Sequence, residues 1–139
     1  MLHITKIKPL NNSVLVTGNK YEKDVIQNGI IVASKGDLKT NQEVIDVGPI
    51  VRDIKPGDKI VFNPMNYAQM KIDPNSIKKD FDGQDKIVRW HLPWVTIEDS
   101  TGEPQDYLML SDRDIMYVYE GYEKEDSIIV PPKKKVLLN

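Results

Sequence analysis

The chain has 139 residues, 40% of them hydrophobic, and a net charge of −2 with acidic and basic residues interspersed. That length suits one domain with room for an appendage, and the balanced charge supplies no bulk field for nucleic acid or anionic lipid. Cysteine is absent, which excludes disulfide frameworks, thiolate metal sites and cysteine nucleophiles and fits a reducing compartment.

The opening Met1-Leu2-His3-Ile4-Thr5-Lys6 lacks the apolar core of a signal peptide. The longest unbroken apolar run, Ile115 to Tyr119, is far short of a membrane span. The chain therefore reads as soluble and cytoplasmic, with no membrane partner. Short apolar runs punctuated by Gly, Pro and Asn predict an all-β barrel or sandwich. In chain order the predicted strands are Val14–Val16, Ile30–Val32, Val44–Val47, Lys59–Phe62, Val95–Ile97, Tyr107–Leu110 and Ile115–Tyr119. Each is rich in the β-branched or aromatic residues that suit a pleated surface. Lys55-Pro56-Gly57-Asp58 predicts a tight turn. Ser111-Asp112-Arg113-Asp114 predicts one capped helical turn before the last strand. No segment keeps a helical period long enough for a longer helix.

Three regions depart from this pattern. Residues 17–41 are polar and rich in Gly, Asn and Lys, yet enclose Gly29-Ile30-Ile31-Val32-Ala33. Residues 69–93 mix charges with Phe81, Trp90 and two prolines. Residues 121–139 run from acidic (Glu123, Glu125, Asp126) to basic (Lys133-Lys134-Lys135) and then to Val136-Leu137-Leu138, charge blocks of a kind that stays solvated. The triplet Ile30-Ile31-Val32 has two readings. It is either an ordinary core strand or an adhesive segment, held in water by polar flanks until a partner groove accepts it. Burying three large aliphatic side chains yields roughly 5–9 kcal/mol gross. Ordering some fifteen fully free residues costs on the order of 15 kcal/mol. A single free loop would bind poorly, whereas several on one ring would bind through effective concentration and release one at a time.

The order of these pieces resembles the GroES co-chaperonin family over most of residues 4–120. Ile7-Lys8-Pro9-Leu10 with Val14-Leu15-Val16 is similar to the family's Ile-Arg-Pro-Leu opening and first strand. The loop ending in Gly29-Ile30-Ile31-Val32 is similar to its mobile loop, whose Gly-Gly and aliphatic triplet contact the chaperonin. Glu43-Val44-Ile45-Asp46-Val47-Gly48 resembles its Gly-Glu-Val-Leu-Ala-Val-Gly strand. Lys55 to Phe62 resembles its Val-Gly-Asp-Ile-Val-Ile-Phe turn and strand, with Tyr67 near the family's dome aromatic. Tyr107 to Ile115 resembles its closing Val-Leu-Ile-Met-Ser-Glu-Ser-Asp-Ile.

The resemblance implies a GroES-like small β-barrel over residues 1–120, with a long mobile loop at 17–41 and an insertion after the fourth strand at 69–93. Residues 121–139 form a C-terminal extension. It further implies a homo-oligomeric ring of seven subunits that caps a GroEL-type chaperonin around an unfolded client, with no cofactor or metal. Gly29, Ile30, Ile31 and Val32 would contact the chaperonin. In the family a subunit's first strand meets its neighbour's last, so Ile4 and Ile7 would face Ile115, Tyr117 and Tyr119 across the seam; the alternative for these five is core within one chain. Tyr67, Phe81 and Trp90 would face the chamber or a client.

Departures from the family pattern are informative. Asn11-Asn12-Ser13 replaces its Asp-Arg and removes a charge pair. The six residues between Gly48 and Lys55 leave no space for its roof hairpin. A missing roof with a new insertion marks a specialised member, of the sort a virus carries for its own substrate, which would then act in the host cytoplasm. The rival reading is a structural ring or scaffold protein of the same fold, viral or not, without a chaperonin. An enzyme is disfavoured: His3 and His91 lie far apart, and no phosphate loop or nucleophile signature occurs. The GroES-like domain of alcohol dehydrogenases is excluded because its cysteine ligands and dinucleotide unit are absent. Lys86, Arg89, Trp90 and Trp94 form a stacking and charge set that would suit nucleic acid, but Asp80, Asp82 and Asp85 cancel the field. Packing of the two tryptophans is the simpler reading.

Overall fold

The computed structural model describes residues 1–72 and 86–123. Ten strands occur among them: β1 (Ser13–Thr17), β2 (Val25–Gln27), β3 (Ile30–Ala33), β4 (Asn41–Val47), β5 (Lys59–Phe62), β6 (Ala68–Ile72), β7 (Lys86–Trp90), β8 (Trp94–Glu98), β9 (Pro104–Ser111) and β10 (Ile115–Tyr119). Six form one antiparallel sheet in the order β10-β5-β4-β1-β9-β8. The eight-residue β9 is its spine, pairing with all of β1 and all of β8.

Period-2 alternation dictates the core. Val14 and Val16 on β1, Val44 on β4, Ile60 and Phe62 on β5, and Leu108 and Leu110 on β9 are all buried in one cluster. Leu38, Val47, Val51, Ile54, Tyr67, Leu92 and Ile115 pack around it. A fully buried side chain of this kind contributes about 1.5–3 kcal/mol, so these seven dominate the stability.

The all-β expectation holds; the closed barrel does not. No ladder joins β8 to β10, so both are edges among the described residues. The Glu98 end of β8 is occupied instead by the N-terminal segment, whose Ile4 carbonyl accepts from Glu98 N–H at 2.8 Å. Side chains rather than backbone bonds close the core. All seven predicted strands are present within a few residues, while β2, β6 and β7 were not foreseen. The predicted helical turn is a 3₁₀ turn, Asp112–Asp114, with a capping box between Ser111 and Asp114. Between Gly48 and Lys55 the chain makes only a tight turn, in which Ile50 N–H bonds Asn11 O at 3.1 Å and Val51 N–H bonds Gly48 O at 3.2 Å.

Asp114 ties three parts of the fold together. Its buried carboxylate accepts from Asn66 Nδ2 (2.8 Å), from Ser111 N–H (3.0 Å) and from the Tyr67 hydroxyl, while its carbonyl accepts from Asn63 N–H (2.8 Å). Burial first, then the hydrogen bond to Asp114 and its charge, push the Tyr67 phenol well above its ordinary value of 10.0. A raised phenol value means this stabilisation is complete below pH 10 and lost as pH climbs through the elevated value. Tyr67→Phe is expected to lower stability by about 1–3 kcal/mol at neutral pH and to blunt the further loss above pH 10; denaturant midpoints measured from pH 7 to 11 test both.

Candidate functional site

The polar segment between β1 and β4 is built as a hairpin standing off the sheet. Asn28 and Gly29 both have positive φ, 54° and 77°, the signature of a two-residue type I′ turn. Around it Gln27 opposes Ile30 and Ile26 opposes Ile31. Below, a turn closes where Asp37 N–H bonds Ser34 O (3.0 Å) and Asp37 Oδ2 accepts from Ser34 N–H (2.9 Å). The stem is laddered by Tyr21 N–H to Asp37 O (2.8 Å), Gly36 N–H to Tyr21 O (2.8 Å) and Lys39 N–H to Asn19 O (3.0 Å).

Gln42 clamps the stem to the sheet. Its buried Oε1 accepts from Thr17 Oγ1 (2.7 Å) and Asn19 N–H (2.9 Å), while Nε2 donates to Asn19 O (3.0 Å) and Lys39 O (2.7 Å). Every hydrogen-bonding capacity this arrangement can use is engaged, so the residue holds both stem strands at once. Gly18 permits a second contact beside it: a Cβ there would lie 2.4 Å from the Trp94 ring. Trp94 thus seats against the stem backbone, with Lys20 Nζ 5.1 Å from the ring. It packs the stem and does not pair with Arg89 as a nucleic-acid platform would require.

Beyond this stem the triplet is in water. Ile30, Ile31 and Val32 are 65%, 55% and 55% exposed, and Ile26 opposite them is exposed too. The core-strand reading therefore fails: the triplet is a strand, but one whose only partner among the described residues is β2. The loop is shorter in effect than its sequence suggests, because most of residues 17–41 is already laddered.

The seam residues lie at opposite edges of the sheet. Ile4 and Ile7 are half-buried in the N-terminal segment beside β8, where His3 Nδ1 also contacts Glu98. On β10, Ile115 packs against the core, Tyr117 is exposed, and Tyr119 Oη accepts from Asn41 Nδ2 at 3.5 Å. Within one chain the two sets do not meet. The outer edge of β10 has no strand partner among the described residues.

Of the residues expected to face a client, Tyr67 turns its hydroxyl inward to Asp114, Trp90 is half-exposed, and Phe81 lies outside the described residues. Trp90 stands on an arm, β6 paired with β7, which begins at Ala68 rather than Gln69 and ends at Trp90 rather than Pro93. Leu92 already packs on the core and Pro93 O accepts from Met109 N–H. Cross-strand pairs Ala68–Trp90 and Met70–Val88 share one face of the arm, and Met70, Val88 and Trp90 are exposed on it. Alternation in Ala68-Gln69-Met70-Lys71-Ile72 carried this strand signal. Nothing comparable marked Gln42, whose role depends on three-dimensional closure.

After β10 the chain returns to the hairpin stem. Glu123 accepts from Asn41 Nδ2 (2.5 Å) and from Lys39 Nζ (3.0 Å), and Lys59 Nζ bonds Gly121 O (3.3 Å). The Asn41 amide first and the Lys39 ammonium next hold the Glu123 carboxyl below its usual range. The pair is open to solvent, so it directs the chain more than it stabilises it.

The family model of the chaperonin 10 Kd subunit matches residues 6–119 of this chain. No curated protein sequence matches it.

Gln42→Ala removes all four stem bonds and leaves the polar groups of Thr17, Asn19 and Lys39 that it engaged to find water. The expected cost is about 2–4 kcal/mol, with amide exchange at Asn19 and Lys39 rising more than in β9. Equal acceleration across the sheet would mean that Gln42 supports the core and not the stem.

Proposed function

The chain belongs to the chaperonin 10 Kd subunit family, a family of co-chaperonins, and we propose that it forms a ring, of seven subunits as in the family, that caps a GroEL-type chaperonin over an unfolded client in the cytoplasm. The observation that carries this reading is the exposed triplet Ile30-Ile31-Val32 on a clamped stem. Gly29 sets the turn, and the three aliphatic side chains enter the partner's apolar groove. A hairpin already closed by its turn and stem loses far less entropy on binding than a free loop, so more of the gross burial energy survives as affinity. A scaffold without a chaperonin would have no use for aliphatic groups held in water.

The two sheet edges support ring closure. The N-terminal segment with Ile4 and Ile7 lies at one edge and the bare strand Ile115–Tyr119 at the other, as head-to-tail pairing between neighbouring copies requires. Such pairing also covers an edge that would otherwise invite aggregation. The arm, whose apolar face includes Trp90 and whose root is fixed by Tyr67, serves client choice; Phe81, which lies between β6 and β7 in the sequence, serves it too.

Ile31→Asp is expected to leave the fold and the ring mass unchanged, because the side chain touches no core, and to weaken chaperonin binding at least about a hundredfold by placing a charge in an apolar groove. Binding titration beside light scattering measures both; undiminished affinity would refute the assignment. Replacing residues 69–89 by a short Gly-Ser linker is expected to keep ring and chaperonin binding, with stability altered by less than about 1 kcal/mol, and to change which clients refold. Loss of the cooperative melting transition would place the arm in the core.

A further inference from the structure

Asn28 is the only asparagine of the chain that a glycine follows, and the fold places this pair at the exposed tip of the hairpin. The amides of Asn12, Asn41 and Asn66 are engaged by Ser111 and Asp112, by Glu123 and by Asp114 respectively. The Asn28 amide has no hydrogen-bond partner among the described residues. Gly29 N–H carries no ladder bond either, because the ladder joins Gln27 to Ile30 across the turn. A Cβ built on Gly29 would meet nothing within 4 Å. The glycine itself has none, so its backbone nitrogen is unshielded and its rotation unobstructed. Asn11 offers the contrast. It is exposed and has the same φ of 54°, yet it precedes Asn12, which has a Cβ, and its carbonyl is held by Ile50 N–H at 3.1 Å.

We propose that Asn28-Gly29 is a site of spontaneous deamidation, which converts residue 28 to aspartate and isoaspartate and thereby withdraws the hairpin from the chaperonin. The second half of this inference rests on the chaperonin-capping reading above. Rotation about the Asn28 Cα–C bond brings the Gly29 nitrogen to Asn28 Cγ. The nitrogen gives its proton to solvent and bonds to Cγ, the Cγ–Nδ2 bond breaks, and ammonia leaves. Solvent water then opens the cyclic imide. Attack at Cγ yields aspartate, and attack at the main-chain carbonyl yields isoaspartate. Water is consumed, ammonia is released, and nothing is oxidised or reduced. Both products carry a new negative charge beside the triplet, which an apolar groove admits only at a desolvation cost. Isoaspartate also routes the main chain through the side-chain methylene, and a two-residue type I′ turn does not tolerate the added atom. The Gln27–Ile30 register, which fixes the faces on which Ile30, Ile31 and Val32 stand, is lost with it.

The test stores the full-length chain in mildly alkaline buffer and follows conversion by peptide mass and by labelling with an isoaspartate-specific carboxyl methyltransferase. Affinity for a GroEL-type chaperonin with nucleotide is measured at the same times. Wild type is expected to convert at position 28 at least about tenfold faster than at Asn11, and its affinity to fall about tenfold or more as conversion completes. Asn28→Gly keeps a Gly-Gly turn without the amide and is expected to hold its initial affinity through the same storage. Conversion at position 28 no faster than at Asn11 overturns the inference. Conversion with affinity unchanged also overturns it, because the modified hairpin would still enter the groove. Equal loss of affinity in wild type and Asn28→Gly overturns it too, by placing the damage elsewhere in the chain. Fresh wild type that does not bind overturns the capping reading and the second half of this inference, while the labelling still decides the site.

Discussion

An aliphatic triplet can stay in water only if the chain cannot fold it inward, and in this protein the side chain of Gln42 imposes that condition. It sits buried where the hairpin leaves the sheet, and its amide meets Thr17, Asn19 and Lys39 together. Unpaired polar groups at such a mouth would cost several kcal/mol, so the backbone of the stem has one low-energy path. Trp94 pressed on Gly18 and Leu38 packed on the core fix that path from either side. The hairpin distal to the clamp is then held off the sheet, where among the described residues Ile30, Ile31 and Val32 find only β2.

Asp114 plays the corresponding part for the rest of the molecule. One carboxylate receives Ser111, Asn66 and Tyr67, joining the end of β9, the start of β10 and the root of the arm. The arm can therefore vary without disturbing the sheet, and β10 is held in register against β5 while its outer edge has no strand partner among the described residues. Gln42 and Asp114, the two buried polar residues among the described residues, thus separate the exposed hairpin and arm from the core that stabilises.

Much of this was legible in the residues. Alternating Val, Ile and Leu marked β1, β4, β5 and β9, and the Pro-Gly turn with the Ser-Asp-Arg-Asp cap set their connections. The hairpin was only half legible. Its triplet stood out, but polarity made residues 17–41 read as a loop, because ladder bonds between backbone groups leave no trace in side-chain chemistry. Closure of the barrel failed for a similar reason: whether β8 meets β10 or the segment at Ile4 is decided by distant geometry. The Asn11-Asn12 departure, read as a lost charge pair, has a physical use. Asn11 takes φ 54°, and the Asn12 amide donates to Ser111 Oγ (3.0 Å) and Asp112 Oδ1 (3.1 Å), so neutral hydrogen bonds hold that corner.

The proposed function requires a clamped base that offers apolar side chains to a chaperonin. Its most direct test is electron microscopy of the wild-type protein mixed with a GroEL-type chaperonin and nucleotide. Chaperonin particles bearing a cap on one or both ends, absent when the protein is omitted, are the predicted result. Bare chaperonin rings at saturating protein, with the protein itself folded and oligomeric, would contradict it.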